Sequence, residues 1–225
     1  KTGLDKHGHV DILVNNAGRS IRRSLKYSVD RFHDFERTMQ LNYFGALRLI
    51  MGFSPMMLER KSGQIINISS IGVLTNPPRF SAYVASKSAL DSFSACAASE
   101  FADRNVHFTT IYMPLVATAM TAPTKMYKAF PMLSPDEASE LVVDAVIDRP
   151  ARIATRLGLA GAVSHALTPK VSEYILNQAY QLFPDSAAAR GLSEAEAAAE
   201  EKKLPKGKVD MARQLFAQVF NGVHW

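Results

Sequence analysis

The chain reads as an α/β fold, a doubly wound parallel sheet with helices on both faces followed by a helical extension. Two observations predict this. Short, continuous apolar runs recur along the first two thirds, and each is separated from the next by a longer stretch of helical character. Runs of that kind suit strands buried on both faces, which parallel sheets provide. Their alternation with helices places those helices on both sides of the sheet.

The elements follow in order. "HVDILVNNAG" (His9 to Gly18) is an apolar run closed by small and polar residues, and "GQIINISS" (Gly63 to Ser70) and "VHFTTIYM" (Val106 to Met113) read as further strands. "ARIATR" (Ala151 to Arg156) is a weaker fourth. Helices are expected over about Val29 to Glu59, Ala82 to Asp103 and Pro135 to Ile147. The last opens on Ser134-Pro135-Asp136-Glu137, an N-cap serine, a proline in the first turn and a capping-box glutamate. Between Met39 and Leu58 few positions are polar, so that helix needs cover beyond its own sheet, and a subunit interface is the expected source. Pro55 is expected to kink it or end its regular part. From Leu157 to Phe183 the chain is apolar and helical in character; Ser193 and Glu196 form a second capping box. The region from Pro184 to Lys208 reads as a surface helix rather than a separate domain. The division is thus residues 1–156, the sheet domain, and 157–225, its helical extension.

Composition narrows the function classes. The net charge of +5 has local sources early (Arg19, Arg22, Arg23, Lys26) and late (Lys202, Lys203, Lys206, Lys208), without a basic stripe interleaved with aromatics. Nucleic acid is therefore not an expected partner. No apolar run reaches the ~18–20 residues that span a bilayer. The single cysteine, Cys96, excludes an internal disulfide and Cys-based metal cages, and fits a reducing cytoplasm. His7 and His9 are the only close histidine pair, and no metal site is expected. The chain opens at Lys1 in what reads as the end of a helix, so it is expected to be part of a longer protein.

The residues that carry chemistry lie around Tyr83. Lys87 follows it by four positions, so both side chains share one helix face. At an effective dielectric near 20, an ammonium about 5 Å from a phenol contributes about 3 kcal/mol. That would lower the phenol pKa by about two units, toward ~7–8, where it exchanges protons near neutral pH. A Tyr-Lys pair at this spacing also arises by chance. Ser70, at the end of a strand, Asn15-Asn16-Ala17-Gly18, at the end of another, and Asn42, in the helix between them, add to it.

In this order, NNAG, Asn, Ser-Ser and Tyr-x-Ala-Ser-Lys-x-Ala-Leu resemble the short-chain dehydrogenase/reductase family, from Val10 to about Arg156. The resemblance implies a Rossmann-like sheet, incomplete at its N-terminal side, and an NAD(P)-dependent oxidoreductase. It implies a catalytic set of Asn42, Ser70, Tyr83 and Lys87. Tyr83 would donate the proton, Lys87 would hold the nicotinamide ribose and lower the tyrosine pKa, and Ser70 would bond the substrate carbonyl. Asn42 would anchor a water relay. Asn16, Ala17, Gly18, Tyr83, Lys87, Val116 and Thr118 would line the cofactor. Met113-Pro114 stands where the family has Pro-Gly, which makes that loop stiffer. The glycine-rich phosphate turn and the residue that reads the ribose 2′ position are absent. The chain alone is therefore expected neither to fold stably nor to bind cofactor.

Over nearly its whole length the chain is most similar to the bacterial fatty acyl-CoA reductases of short-chain type, through segments such as "NNAGRSIRRS", "INISSIGVLTNPPRFSAYVASK", "IYMPLV" and the terminal "HW". This implies reduction of long-chain acyl-CoA to fatty aldehyde with NADPH. The protein is expected to be cytoplasmic, and the apolar tail ending in Phe220 and Trp225 reads either as packing on the domain or as a peripheral membrane contact. A homo-oligomer or fusion to an upstream domain is expected. Ketone or secondary-alcohol chemistry on a 3-oxoacyl thioester or a steroid is the alternative, and a non-catalytic cofactor-binding module is the other. Arg22 and Arg23 read either as contacts to CoA phosphates or as a solvated loop. Thr121 to Leu133, with Met126, Tyr127, Phe130 and Met132, reads either as an acyl-chain lid or as ordinary core. Cys96 is expected to be a small packing residue, not a nucleophile.

Overall fold

The computed structural model of the protein describes residues 2–122, 127, 131–182, 185–193 and 196. Its centre is a four-stranded, wholly parallel sheet in the order β1 (Ile12–Asn15), β2 (Gly63–Ile68), β3 (Val106–Ile111), β4 (Arg152–Ile153). Each expected strand is present and each is shorter than its apolar run, because the polar ends of the runs become the loops at the sheet's carboxyl edge.

The period-2 alternation divides the sheet's side chains between two layers. Leu13, Ile65, Val106 and Phe108 face α3 (Ala46–Arg60) and α5 (Ser81–Phe101), packing with Ala46, Ile50, Met57, Leu90 and Ala97. Ile66, Ile68 and Ile111 face the other way, onto Ala145 of α6 (Pro135–Asp148). Helices on both faces give the doubly wound arrangement. The Ser134 capping box is formed as expected, with Ser134 Oγ accepting from the Glu137 N–H and Glu137 returning a bond to the Ser134 N–H at 2.7 Å.

Three expectations change. The single helix expected over Val29 to Glu59 is divided into α2 (Phe32–Met39), a π turn (Gln40–Gly45) and α3. Helix α3 runs through Pro55 and stops at left-handed Lys61, so the proline does not end it, and the π turn upstream interrupts the α-helical pattern instead. The helix expected over Leu157 to Phe183 is two, α7 (Arg156–Leu167) and α8 (Pro169–Leu182), because Pro169 forces Thr168 out of the helical region (φ −133, ψ 59). Cys96 is exposed rather than packed, since α5 turns Leu90, Ser94 and Ala97 to the core and leaves position 96 outside that stripe.

The extension lies over the site. Helix α7 packs on α4 (Ile71–Thr75), the turn that follows Ser70. A Cβ on Gly158 would stand 3.0 Å from Leu74 Cδ1 and 3.1 Å from Ile71 Cγ1, so the glycine sets how closely the two helices approach. Among the described residues no helix is long and apolar enough to cross a membrane.

Candidate active site

Everything converges at the carboxyl edge of β1 and β2. Ser70 ends the β2 run in extended conformation (φ −150, ψ 145) and caps α4, its Oγ accepting the Gly72 N–H at 3.1 Å. Tyr83 and Lys87 sit in the first two turns of α5, on one face. The Ser70 hydroxyl hydrogen-bonds the Tyr83 phenol and pulls its pKa down, but burial is the larger effect and the phenol ends above its ordinary value. Lys87 is buried and donates from Nζ to the Ile68 carbonyl at 2.6 Å. Burial lowers its pKa to about 8. The expected lowering of Tyr83 by Lys87 is therefore not what this geometry produces. Desolvation dominates both groups, and the ammonium is directed at a carbonyl oxygen.

Gly18 closes the site from the side of β1. A Cβ there would come within 3.3 Å of Lys87 Nζ and 3.4 Å of Asn42 Oδ1, a tight contact that would press on the lysine, so glycine leaves the backbone close over it. Asn42, almost fully buried in the π turn, uses both amide protons. They go to the Arg19 carbonyl and to Ser86 Oγ, each at 2.9 Å, while Oδ1 accepts the Arg19 N–H at 2.9 Å. A π turn widens the helix and recurs at functional positions. Here it lets Asn42 brace the loop after Gly18 against α5, leaving one lone pair on Oδ1 for any water relay. Asn16 and Ala17 are exposed beside this point. Val116 forms a bridge with Leu133, and Thr118 begins a turn closed by Thr121, whose Oγ1 donates to the Val116 carbonyl at 2.8 Å.

Asn67, Ser94 and Ser86 are additions that the sequence alone did not single out. Asn15 donates to Asn67 Oδ1, and Asn67 donates to Ser94 Oγ, both at 2.7 Å, tying β1, β2 and α5 together beneath the active groups. An asparagine inside the otherwise apolar "IINI" was the available signal, since a buried amide needs partners. Ser86 links Asn42 to the Tyr83 carbonyl. Arg22 and Arg23 are half-buried, which removes the solvated-loop reading. The pKa of Arg22 is lowered, first by burial and then by Arg79, while Tyr127 and Asp185 act the other way. Tyr127 is pushed up to about 12, mainly by burial, with Arg22 lowering it and Tyr83 raising it further. Of the lid residues, Met132 is half-buried; Met126 and Phe130 lie outside the described residues, as do Phe220 and Trp225.

What this arrangement can do is hold a carbonyl oxygen between a hydroxyl and a phenol, with an ammonium and a bare backbone cradle alongside. Among the described residues no group of three His, Cys, Asp or Glu is placed to hold a metal ion.

Comparison with known proteins is consistent with that chemistry. Residues 1–128 match the family model described as short chain dehydrogenase. A fatty acyl-CoA reductase of Acinetobacter baylyi is 52% identical over 217 residues, which cover 96% of this chain and 69% of that protein. A fatty acyl-CoA reductase of Mycobacterium tuberculosis is 51% identical over 164 residues, 72% of this chain and 56% of that protein. The chain thus spans only part of the length of either. A short-chain dehydrogenase from Burkholderia cenocepacia, solved in complex with NADP, shares the fold with a TM-score of 0.66 at 22% identity, over 78% of this chain and 72% of that one.

Proposed function

Because this chain belongs to the short-chain dehydrogenase family of oxidoreductases, we propose that it reduces the thioester carbonyl of a long-chain fatty acyl-CoA to a fatty aldehyde, with NADPH as reductant. The observation that carries the reading is the convergence of Ser70, Tyr83 and Lys87 beneath the bare Gly18 backbone. The two reductases similar to it over most of its length supply the substrate class.

The residues present fit a nicotinamide cofactor. Gly18 admits close backbone approach, exposed Asn16 and Ala17 continue the same edge, and Lys87 would hold the ribose. Val116 and Thr118 belong to the same reading as the loop on the nicotinamide side. When bound, the reduced nicotinamide supplies the hydride. Ser70 orients the substrate carbonyl through its hydroxyl, and Tyr83 gives its phenolic proton to that oxygen as charge develops there. Holding the donor above its ordinary pKa keeps it protonated at neutral pH. The resulting hemithioacetal then breaks its C–S bond; the carbonyl reforms as aldehyde, and CoA leaves as the free thiol with the hydroxyl proton. Asn42 keeps the Gly18 loop and α5 in register. Half-buried Arg22 supports an anionic substrate through its charge. The exposed Leu49 and Met51 on α3 support self-association as part of the same reading.

Incubating the intact protein with NADPH and palmitoyl-CoA tests it. Expected are loss of NADPH absorbance, one CoA thiol released per NADPH consumed, and aldehyde as product. Turnover of ketones without release of CoA would replace the thioester reading with carbonyl reduction by the same groups.

A further inference from the structure

Asp185, three positions beyond the end of α8, makes a buried ion pair beside the site. Asp185 Oδ2 lies 3.1 Å from Arg79 Nε, with the two side chains 3% and 5% exposed. The other carboxylate oxygen, Oδ1, accepts the Ser24 N–H at 2.9 Å. Arg79 also donates to the Tyr180 carbonyl at 3.0 Å, and its guanidinium lies over the Tyr180 ring at 4.1 Å. One carboxylate and one guanidinium thus join three segments far apart in the chain.

Two of those segments carry the active groups. Arg79 precedes Phe80, the N-cap of α5, and Tyr83 is in the first turn of that helix. The backbone of Arg79 has φ +75, a left-handed conformation that a non-glycine residue keeps only where its surroundings over-determine it. Its carbonyl accepts the Arg23 N–H at 2.8 Å. The loop from Gly18 to Ser24 is consequently held at both ends, by Asn42 at Arg19 and by Arg79 and Asp185 at Arg23 and Ser24. Between those anchors Arg22 interacts with Arg79, Asp185 and Tyr127, and Tyr127 with Tyr83.

We infer that the Arg79–Asp185 pair is a positioning device, a clasp by which the C-terminal extension fixes the Gly18 loop and the start of α5 relative to each other, and that turnover depends on its being closed. A buried ion pair is a poor net stabiliser compared with apolar residues of similar volume. What this one adds is a fixed junction, because each carboxylate oxygen is committed to a different segment. Arg79 and Asp185 touch no reacting atom; they act through Gly18, Lys87 and Tyr83. The inference rests on the reduction proposed above, and its test separates the two.

The experiment uses the intact protein with Asp185→Asn, Arg79→Gly (glycine adopts φ +75 without strain) and the double variant. Arg79→Lys serves as a milder break that keeps the charge but loses the planar fork. Turnover of palmitoyl-CoA with NADPH, NADPH affinity by fluorescence, and tryptic cleavage after Arg22 and Arg23 are measured at a temperature where each variant remains folded. The expectation is a fall of at least tenfold in kcat for each single variant, with the double variant no worse than the worse single. Cleavage after Arg22 and Arg23 is expected to quicken in parallel. Faster cleavage with unchanged kcat would reduce the pair to a structural tie and overturn the positioning role. So would losses that multiply in the double variant. If the unaltered protein releases no CoA, the thioester reading fails alone. The clasp then stands if the variants weaken NADPH binding and speed cleavage, and falls if neither changes.

Discussion

Strands β1 and β2 lie side by side, paired from Ile12–Gln64 to Asn15–Asn67, yet their ends are finished differently. Strand β2 has a neighbour on each edge and helices on both faces, and Ile65 and Ile66 are fully buried. Among the described residues, strand β1 is bonded on one edge only. Its Leu13 packs under α3, but Ile12 and Val14, on the face that α6 covers for β2, remain 41% and 38% exposed. The same contrast holds for the site. The part built on β2 and α5, Ser70 with Tyr83 and Lys87, is closed and internally bonded. The part built on β1, Asn16 and Ala17, stands open. Under the proposed reduction, the groups for proton chemistry lie on the covered side, whereas the strand end that would meet a cofactor is left half covered.

The largest effect expected from this contrast is on the closed side. Tyr83→Phe in the intact protein removes the proton donor but keeps the ring against Phe80. It should lower kcat by about 10²–10⁴-fold, the usual worth of a positioned acid. Cofactor affinity, measured by NADPH fluorescence, should stay nearly unchanged. Comparable turnover by the variant would mean that the closed half is not where the reaction is done.

A second prediction weighs the two strands directly. Ile66→Ala should destabilise by about 2–5 kcal/mol in denaturant titration, the range for truncating a fully buried aliphatic side chain. Val14→Ala, on a side chain already partly in water, should cost about 1 kcal/mol or less. Equal costs would show that β1 is covered as completely as β2.

That contrast also marks where the sequence was legible. Continuous apolar runs identified all four strands, and the Ser134 and Ser193 capping boxes are formed as spacing predicted, the second with Ser193 N–H to Glu196 at 2.8 Å. An apolar run records that a strand needs cover on both faces; it does not record what supplies it, so Ile12 and Val14 read just as Ile65 and Ile66 do. The Tyr83–Lys87 spacing and Ser70 were visible because i to i+4 geometry is local. Asn67, Ser94, Arg79 and Asp185 were not, since the partners that matter lie 27 to 161 positions away and only tertiary folding brings them together. The pKa directions were hidden for a related reason: the i to i+4 spacing places the Lys87 charge near the phenol but does not show the burial that raises Tyr83 and lowers Lys87.

The open side yields the third prediction. Gly18→Val should weaken nicotinamide dinucleotide binding about tenfold, a difference of about 1.4 kcal/mol, because a side chain there presses on Lys87 and Asn42. Fluorescence titration of the variant and the unaltered protein measures it. Equal affinity would show that the end of β1 does not meet the cofactor, and would remove the distinction between the two halves.

The smallest effect concerns Lys87 and has a sign that can be worked out. Its pKa in the folded protein is about 8, below the ordinary 10.5, so folding disfavours its charged form. Below about pH 8 both folded and unfolded chains carry the proton, and the penalty for burying an ammonium is present in full. Between about 8 and 10.5 the unfolded chain holds more protons than the folded one, so the stability of the unaltered protein rises with pH. Lys87→Met lacks this titration. It should be at least as stable as the unaltered protein at pH 7 in denaturant titration, and that margin should shrink by about 1–2 kcal/mol by pH 10, less than the full shift implies once solvent relaxation is allowed for. A margin that stays constant or widens with pH would mean that the ammonium is not held against its own desolvation. A charge kept in such a place, at the well-covered end of β2 and bonded to only one carbonyl among the described residues, costs stability, and the proposed reduction gives that cost a purpose.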